Sequence, residues 1–378
     1  MPPVTIDGTS GITTPMYGGA ITANAVTPSV NMKSRIINGA MVIDQRNAGA
    51  SVTPNVSYTL DRWQGINTQA SKFTVQQNTG SVTPPAGFTN YLGVTSSSAY
   101  SVLTGDTFLI SQSIEGFNTA DLDFGKSTAK TITLSFWVRS SLTGTFGGAL
   151  TNNAGNRSYA FSYTISSANT WEQKTVTIAG DTTGTWETTT NAGIRVRFGL
   201  GSGSTYSGTA GVWSASDLVQ STGSTSVVGT NGATFYITGV QLEVGSTATS
   251  FDYRPYGTEL ALCQRYYYKV KASGNSYSNL GTGYNTATTT ANIMVFFPVT
   301  LRIRPTALET SGTAGDYAIA HTNTATTCSV IPTYSAPTNE FQSLTIFTVS
   351  SGLTAGQGSR GCSDLNNANA YLAWSAEL

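Results

Sequence analysis

Charge is scarce in this chain. Only 10% of its 378 residues are Asp, Glu, Lys or Arg, and 19 basic side chains are balanced by 19 acidic ones, where an ordinary soluble domain is about 25% charged. Without a Lys/Arg run the surface cannot neutralise a phosphate backbone, so no nucleic-acid partner is expected. Histidine is reduced to His321. Neither G-x-S-x-G nor H-E-x-x-H occurs, which leaves a hydrolase without its familiar nucleophile, base or zinc ligands. No window approaches the roughly 18 apolar residues of a membrane-spanning helix. Met1 leads into PPVTIDGTSGITTP with no cationic start and no apolar run, so neither membrane insertion nor a secretion signal is expected and the protein is made in a cytoplasm. The three cysteines, Cys263, Cys328 and Cys362, are odd in number and far apart. That spacing fits buried free thiols better than a disulfide framework or a metal site. No cofactor and no metal is expected.

Ser, Thr, Asn and Gly take the place of charge. Hydroxyls and amides keep a surface wet without long-range fields, while 10% aromatic residues supply more burial than a disordered chain carries. At this length two or three modules are expected rather than one core.

Residues 1–35 carry Pro2, Pro3, Pro15 and Pro28 among Gly, Thr and Ala, a composition for an extended N-terminal arm. It is either a loose terminus or an arm that orders on a partner. From Ile36 the pattern turns to period two, the mark of strands with one buried face. Ile132/Leu134/Phe136/Val138, Tyr159/Phe161/Tyr163/Ile165 and Ile194/Val196/Phe198/Leu200 are clear cases, punctuated by turn clusters such as TNNAGN and GLGSGS. Residues 36–255 are therefore read as an antiparallel jelly-roll sandwich closed by a strand around Phe235 to Val244.

After Pro255, Thr258 is expected to cap a turn or two of helix, and Tyr266, Tyr268 and Val270 to begin a strand. Asn292 to Arg304 reads as one long strand, with others at Phe341 to Val349 and Ala370 to Leu378. Residues 256–378 thus form a smaller C-terminal β-sandwich, and the fold class is all-β. Met294 and Phe296 face away from Val295 and Phe297, so both sides of that strand ask for cover by another layer or a neighbour. No repeat period appears, which disfavours a β-helix.

The better chemical signal is aromatic and guanidinium placement. In TITLSFWVRSS the alternation sends Trp137 and Arg139 outward, and in GIRVRFGL it sends Arg195 and Arg197 outward. If the strands share a sheet, an indole and three guanidinium groups form a face that can stack on a sugar ring and donate to its hydroxyls. The alternative is Arg stacked on Trp beneath a loop or another subunit. Tyr277, Tyr284, Tyr317 and Tyr334 lie in Gly/Asn/Thr-rich stretches and are candidate receptor contacts in tip loops. Trp171 and Trp374 alternate with strand neighbours and are assigned to core or subunit contact. His321 reads as a loop residue, Gly356/Gly358/Gly361 as a glycine loop without a nucleotide-binding helix, and Asp121/Asp123 as a solvated turn.

Three patches, INGAMVIDQRNAG with YTLDRW, GVQLEVG with RPYG and ELALCQRYY, and the final AYLAWSAEL, together resemble a widespread family of tailed-bacteriophage fibre proteins. The resemblance implies a homotrimer, anchored to other virion proteins by its N-terminal arm, whose distal module binds bacterial surface polysaccharide without cutting it. A capsid or tail decoration protein and a depolymerase with an inter-subunit site are the alternatives. The stretch from TITLSFWVRSS to FYITGVQLEVG also resembles carbohydrate-binding jelly rolls appended to glycosidases. Those often carry calcium beside an acidic residue in the closing strand, where Thr238 stands in this chain.

Overall fold

The computed structural model describes residues 32–378, together with two short strands nearer the N-terminus. Those strands, Thr5–Asp7 and Gly11–Thr13, pair antiparallel with Ile6 opposite Ile12. They fall in a unit of residues 1–33, separate from the unit Ser34–Leu378. The rest of the arm expected over residues 1–35 lies outside the described residues up to residue 31.

Within the larger unit nearly all the regular structure is strand. Its first part is a sandwich of two antiparallel sheets. The seven-stranded sheet runs in spatial order Trp213–Ser214, Ser158–Ile165, Gly144–Thr151, Ala192–Ser202, Thr107–Glu115, Trp63–Asn67 and Ser57–Leu60. The five-stranded sheet runs Glu172–Ile178, Ile132–Ser140, Thr234–Val244, Leu92–Ser96 and Phe73–Gln77. The alternating residues fill the space between them, as their period predicts. Phe136 of one sheet meets Tyr163 and Phe198 of the other edge-to-face, with ring centroids 5.0 Å apart in both pairs. Tyr163 lies in this core with its hydroxyl buried and unpartnered, so Tyr163→Phe removes only a desolvation cost. The variant is expected to gain about 1 kcal/mol of stability, read as a raised denaturation midpoint.

The C-terminal module closes on itself where the sequence suggested a second sandwich. Six antiparallel strands, Asn279–Asn285, Thr290–Phe296, Gln342–Val349, Thr324–Tyr334, Tyr317–His321 and Gly358–Ser363, form a barrel. Small residues permit closure. A Cβ on Gly283 would lie 1.8 Å from the Asn292 carbonyl oxygen, and one on Gly361 would lie 2.8 Å from Phe347. The G-x-G-x-x-G run is thus a turn at Gly356, φ 82°, leading into a strand that packs backbone on ring. Beside the barrel, Tyr267–Lys271, Tyr371–Ser375 and Glu309–Thr310 make a three-stranded sheet. The strand expected from Asn292 to Arg304 stops at Phe296, because Pro298 cannot donate to the ladder.

The two modules meet in a packed joint. Its helix, Tyr256–Gln264, starts behind Pro255, whose carbonyl accepts the Thr258 and Glu259 N–H groups; Thr258 is inside the helix rather than capping it. Cys263 and Tyr266 bury against Ile37 and Ile43, and all three cysteines are buried free thiols. Arg265 makes a two-pronged pair with Glu115, at 2.7 and 3.0 Å, and the Tyr266 hydroxyl donates to the same carboxylate at 2.8 Å. Arg62 stacks 3.5 Å from the Tyr266 ring centroid and pairs with Glu377. Arg302 donates to the Ala376 and Thr190 carbonyls, each at 2.7 Å. The last residues of the sequence are thereby bolted to the sandwich.

Candidate glycan-binding site

The outward residues of Ile132–Ser140 and Ala192–Ser202 do point away from the core, but the strands belong to different sheets. Trp137 and Arg139 sit on the outer face of the five-stranded sheet, and Arg195 and Arg197 on the outer face of the seven-stranded one. A single face carrying one indole and three guanidinium groups does not exist. Arg195 and Arg197 are committed instead to structure. Arg195 donates to the Asn153 carbonyl and side-chain oxygens at 2.8 and 2.7 Å. Arg197 pairs with Asp217 at 2.5 Å and donates to the Leu218 carbonyl at 3.0 Å, fastening an excursion that covers the sheet.

The four tyrosines do not converge either. Tyr317 is fully buried, its hydroxyl donating to the Tyr371 carbonyl at 2.7 Å and accepting from Ser311 N–H at 2.9 Å. It begins a strand in which Ile319 also faces the barrel interior, so the residue that its Gly/Asn/Thr-rich surroundings placed in a loop tip lies in the core. Tyr334 is half-buried and donates to the Pro305 carbonyl. Tyr277, also half-buried, occupies a turn with φ 52°. Tyr284 alone is well exposed, on the outer wall of the barrel.

Trp137 and Arg139 do share one outer face. Both are half-buried, and Gln173 and Thr238 flank Trp137 across the ladder. Arg139 lies 5.4 Å from the Tyr236 ring centroid and spends its Nε–H on the Asn169 carbonyl at 3.0 Å. The stacking anticipated between Arg and Trp is made with Tyr236. Behind Tyr236 an aromatic row continues through Tyr91, at 5.1 Å, to Trp171, at 5.5 Å. The Trp171 indole N–H donates to the Thr83 carbonyl at 2.9 Å, which pins the loop between residues 78 and 91 along one side of the face. Trp374, the other tryptophan assigned to packing, is fully buried in the C-terminal core.

That loop returns Phe88 to Trp137. A bulge interrupts the closing strand between Thr238 and Gln241, and Gly239, φ 61°, leaves room there for both rings: a Cβ would stand 2.6 Å from Phe88 and 3.1 Å from Trp137. Phe88 packs in turn with Phe251 and Tyr253, with centroids 5.1 and 5.5 Å away. The three rings border a cavity of about 170 Å³ whose lining also includes Ser34, Thr89, Asp252, Arg254 and Glu259. The sequence reading missed this group. The residues come from three segments with no shared period, and the only signal was the clustering of aromatic and charged side chains in SFDYRPYG.

The remaining candidates take ordinary structural roles. Asp121 pairs with Arg35 and Asp123 with Lys126, each at 2.7 Å. His321 ends a strand within 3.1 Å of the Thr326 hydroxyl. Thr238 donates to the Asn90 carbonyl at 2.7 Å, and no cluster of three metal-ligating side chains occurs among the described residues.

No protein-family model matches the chain, and no curated protein matches it. Among solved structures, the enzymatically active domain of tailspike protein 4 from bacteriophage CBA120 is 14% identical with a TM-score of 0.31. That match covers 56% of this chain and 21% of the tailspike chain, so this chain spans about a fifth of its length. A family 11 carbohydrate-binding module from Clostridium thermocellum is 10% identical over 53% of this chain and 98% of its own, with a TM-score of 0.27. A xylan-binding domain from Paenibacillus barcinonensis is 11% identical over 53% of this chain and 99% of its own, with a TM-score of 0.25. All three TM-scores are too low to establish a shared fold.

Proposed function

We propose that the protein is a non-enzymatic adhesin that binds a bacterial surface polysaccharide, working as a fibre subunit of a phage virion. The observation that carries this reading is Trp137 on an outer sheet face, partly open to solvent and flanked by Arg139, Gln173 and Phe88. An indole plane takes the C–H face of a sugar ring, and neighbouring N–H donors take its hydroxyls. The three sequence patches shared in character with phage fibres supply the virion setting and the anchoring arm. Binding without cutting is supported by the disposition of the nearby acids. Glu259 accepts from Arg254 and the Asn38 N–H, and Asp252 accepts from the Ser34 N–H, so two free carboxylates do not flank one bond.

A parallel homotrimer suits the barrel's outer wall, where Phe296, Phe341 and Val330 are 67%, 61% and 47% exposed and Met294 lies opposite Leu344. Three linked sites would raise avidity without any new contact. The test is pull-down of the full chain on purified surface polysaccharide and on host cells. Trp137→Ala is expected to weaken binding about tenfold, with light scattering still reporting three chains per particle. Loss of assembly with unchanged binding would assign Trp137 to subunit contact and favour a decoration protein. Release of new reducing ends from the polysaccharide would make the protein a depolymerase.

A further inference from the structure

The cavity beside Trp137 is more than an aromatic dent. Arg254 is only 6% exposed, and its terminal nitrogens are spent on the Ile36 and Ser34 carbonyls and on Glu259. Its Nε–H is buried with no hydrogen-bond partner among the described residues. The nearest carboxylate oxygen, Oδ2 of Asp252, stands 3.9 Å away, beyond hydrogen-bond reach. That same oxygen accepts the Ser34 N–H at 3.3 Å, and Oδ1 receives no hydrogen bond from the described residues. Asp252 therefore presents a free acceptor oxygen at the cavity, while Arg254 Nε is sealed behind it.

We propose that this cavity is the subsite for one neutral pyranose ring at the end or at a branch of the glycan. The proposal rests on the glycan-binding reading above. Size limits the occupant to one ring, since a cavity of about 150 Å³ holds a single benzene-sized ring and this one, at about 170 Å³, has no space for a second sugar. Phe88 and Tyr253 offer planes to the ring's C–H face. A ring hydroxyl donates to the Asp252 carboxylate on the lining. Charge sets the class. Asp252 and Glu259 outnumber Arg254 along the lining, so a uronate, a sialate or a phosphate would enter against a negative excess, while an uncharged ring would not.

The experiment titrates the full chain with the methyl glycosides of glucose, galactose and mannose, and with methyl glucuronide, by saturation-transfer NMR beside the polysaccharide pull-down. At least one neutral glycoside is expected to bind, with a dissociation constant on the order of millimolar, and the glucuronide about tenfold more weakly. Asp252→Asn, which keeps an acceptor for Ser34, and Tyr253→Ala, at a side chain held by one hydrogen bond to Gly87, are each expected to cost about tenfold in affinity. Tyr253→Phe keeps the ring and is expected to bind within about threefold of the wild type. The subsite is overturned if the polysaccharide binds through Trp137 while no neutral glycoside does. It is equally overturned if glucuronide binds as well as the neutral sugars, or if folded Asp252→Asn and Tyr253→Ala match the wild type. If neither polysaccharide nor glycoside binds, the glycan-binding reading falls and takes the subsite with it.

Discussion

Replacing Glu377 by alanine is expected to cost about 3–5 kcal/mol of stability, the amount lost when one member of a buried ion pair is removed and the other charge stays behind. Arg62 is 1% exposed at its side chain and Glu377 5%, so the stranded guanidinium cannot turn to water. It would keep the Ser113 carbonyl and the Tyr266 ring face, which offset only part of the loss. The double variant Arg62→Met/Glu377→Leu is expected to regain part of the stability, because it removes the stranded Arg62 charge and restores apolar packing, while Arg46 loses its 3.2 Å pair with Glu377 and keeps the Tyr267 ring face. Denaturant midpoints of the two single variants and the double variant check this. A Glu377→Ala midpoint equal to the wild type would mean that the joint is open to solvent and the network unimportant.

Trp374→Ala is expected to cost about 3–5 kcal/mol, the usual range for emptying a large aromatic site in a core. The indole is fully buried, lies 6.0 Å from Tyr268 in a stacked arrangement and 5.2 Å from Phe297, and donates to the Ser343 hydroxyl at 2.9 Å. Its contacts all lie in the C-terminal core, which is distinct from the sandwich core. Hydrogen exchange should therefore show lost protection in the barrel strands while the amides of Ile132–Ser140 and Thr234–Val244 stay protected. Equal loss in both parts would show that they unfold as one.

What the sequence made legible follows from what alternation encodes. Period two fixes which side chains in a strand share a face, so Ile132/Leu134/Phe136/Val138 and Ile194/Val196/Phe198/Leu200 were correctly placed inward and the intervening Trp and Arg outward. It does not encode the partner strand. Ile132–Ser140 pairs with Thr234–Val244, far along the chain, and Ala192–Ser202 pairs with Thr107–Glu115, which is why Trp137 and Arg195 end on opposite outer faces. Likewise, inward-facing residues of a barrel and of a sandwich have the same alternation. Closure depended on whether Gly283 and Gly361 let strands approach, a property of long-range geometry. The cavity was least legible, because Phe88, Asp252 and Arg254 lie in turns and connectors where no period orders them.

The ring of six strands has a further consequence for a protein whose formal net charge is zero. Such a molecule has little mutual repulsion to keep its neighbours apart in a crowded solution. A ragged rim of backbone N–H and C=O groups would then template unwanted zippering between copies. The closed barrel leaves no such rim, so backbone edges open to a second copy are confined to the open sheets, at strands such as Glu172–Ile178 and Glu309–Thr310.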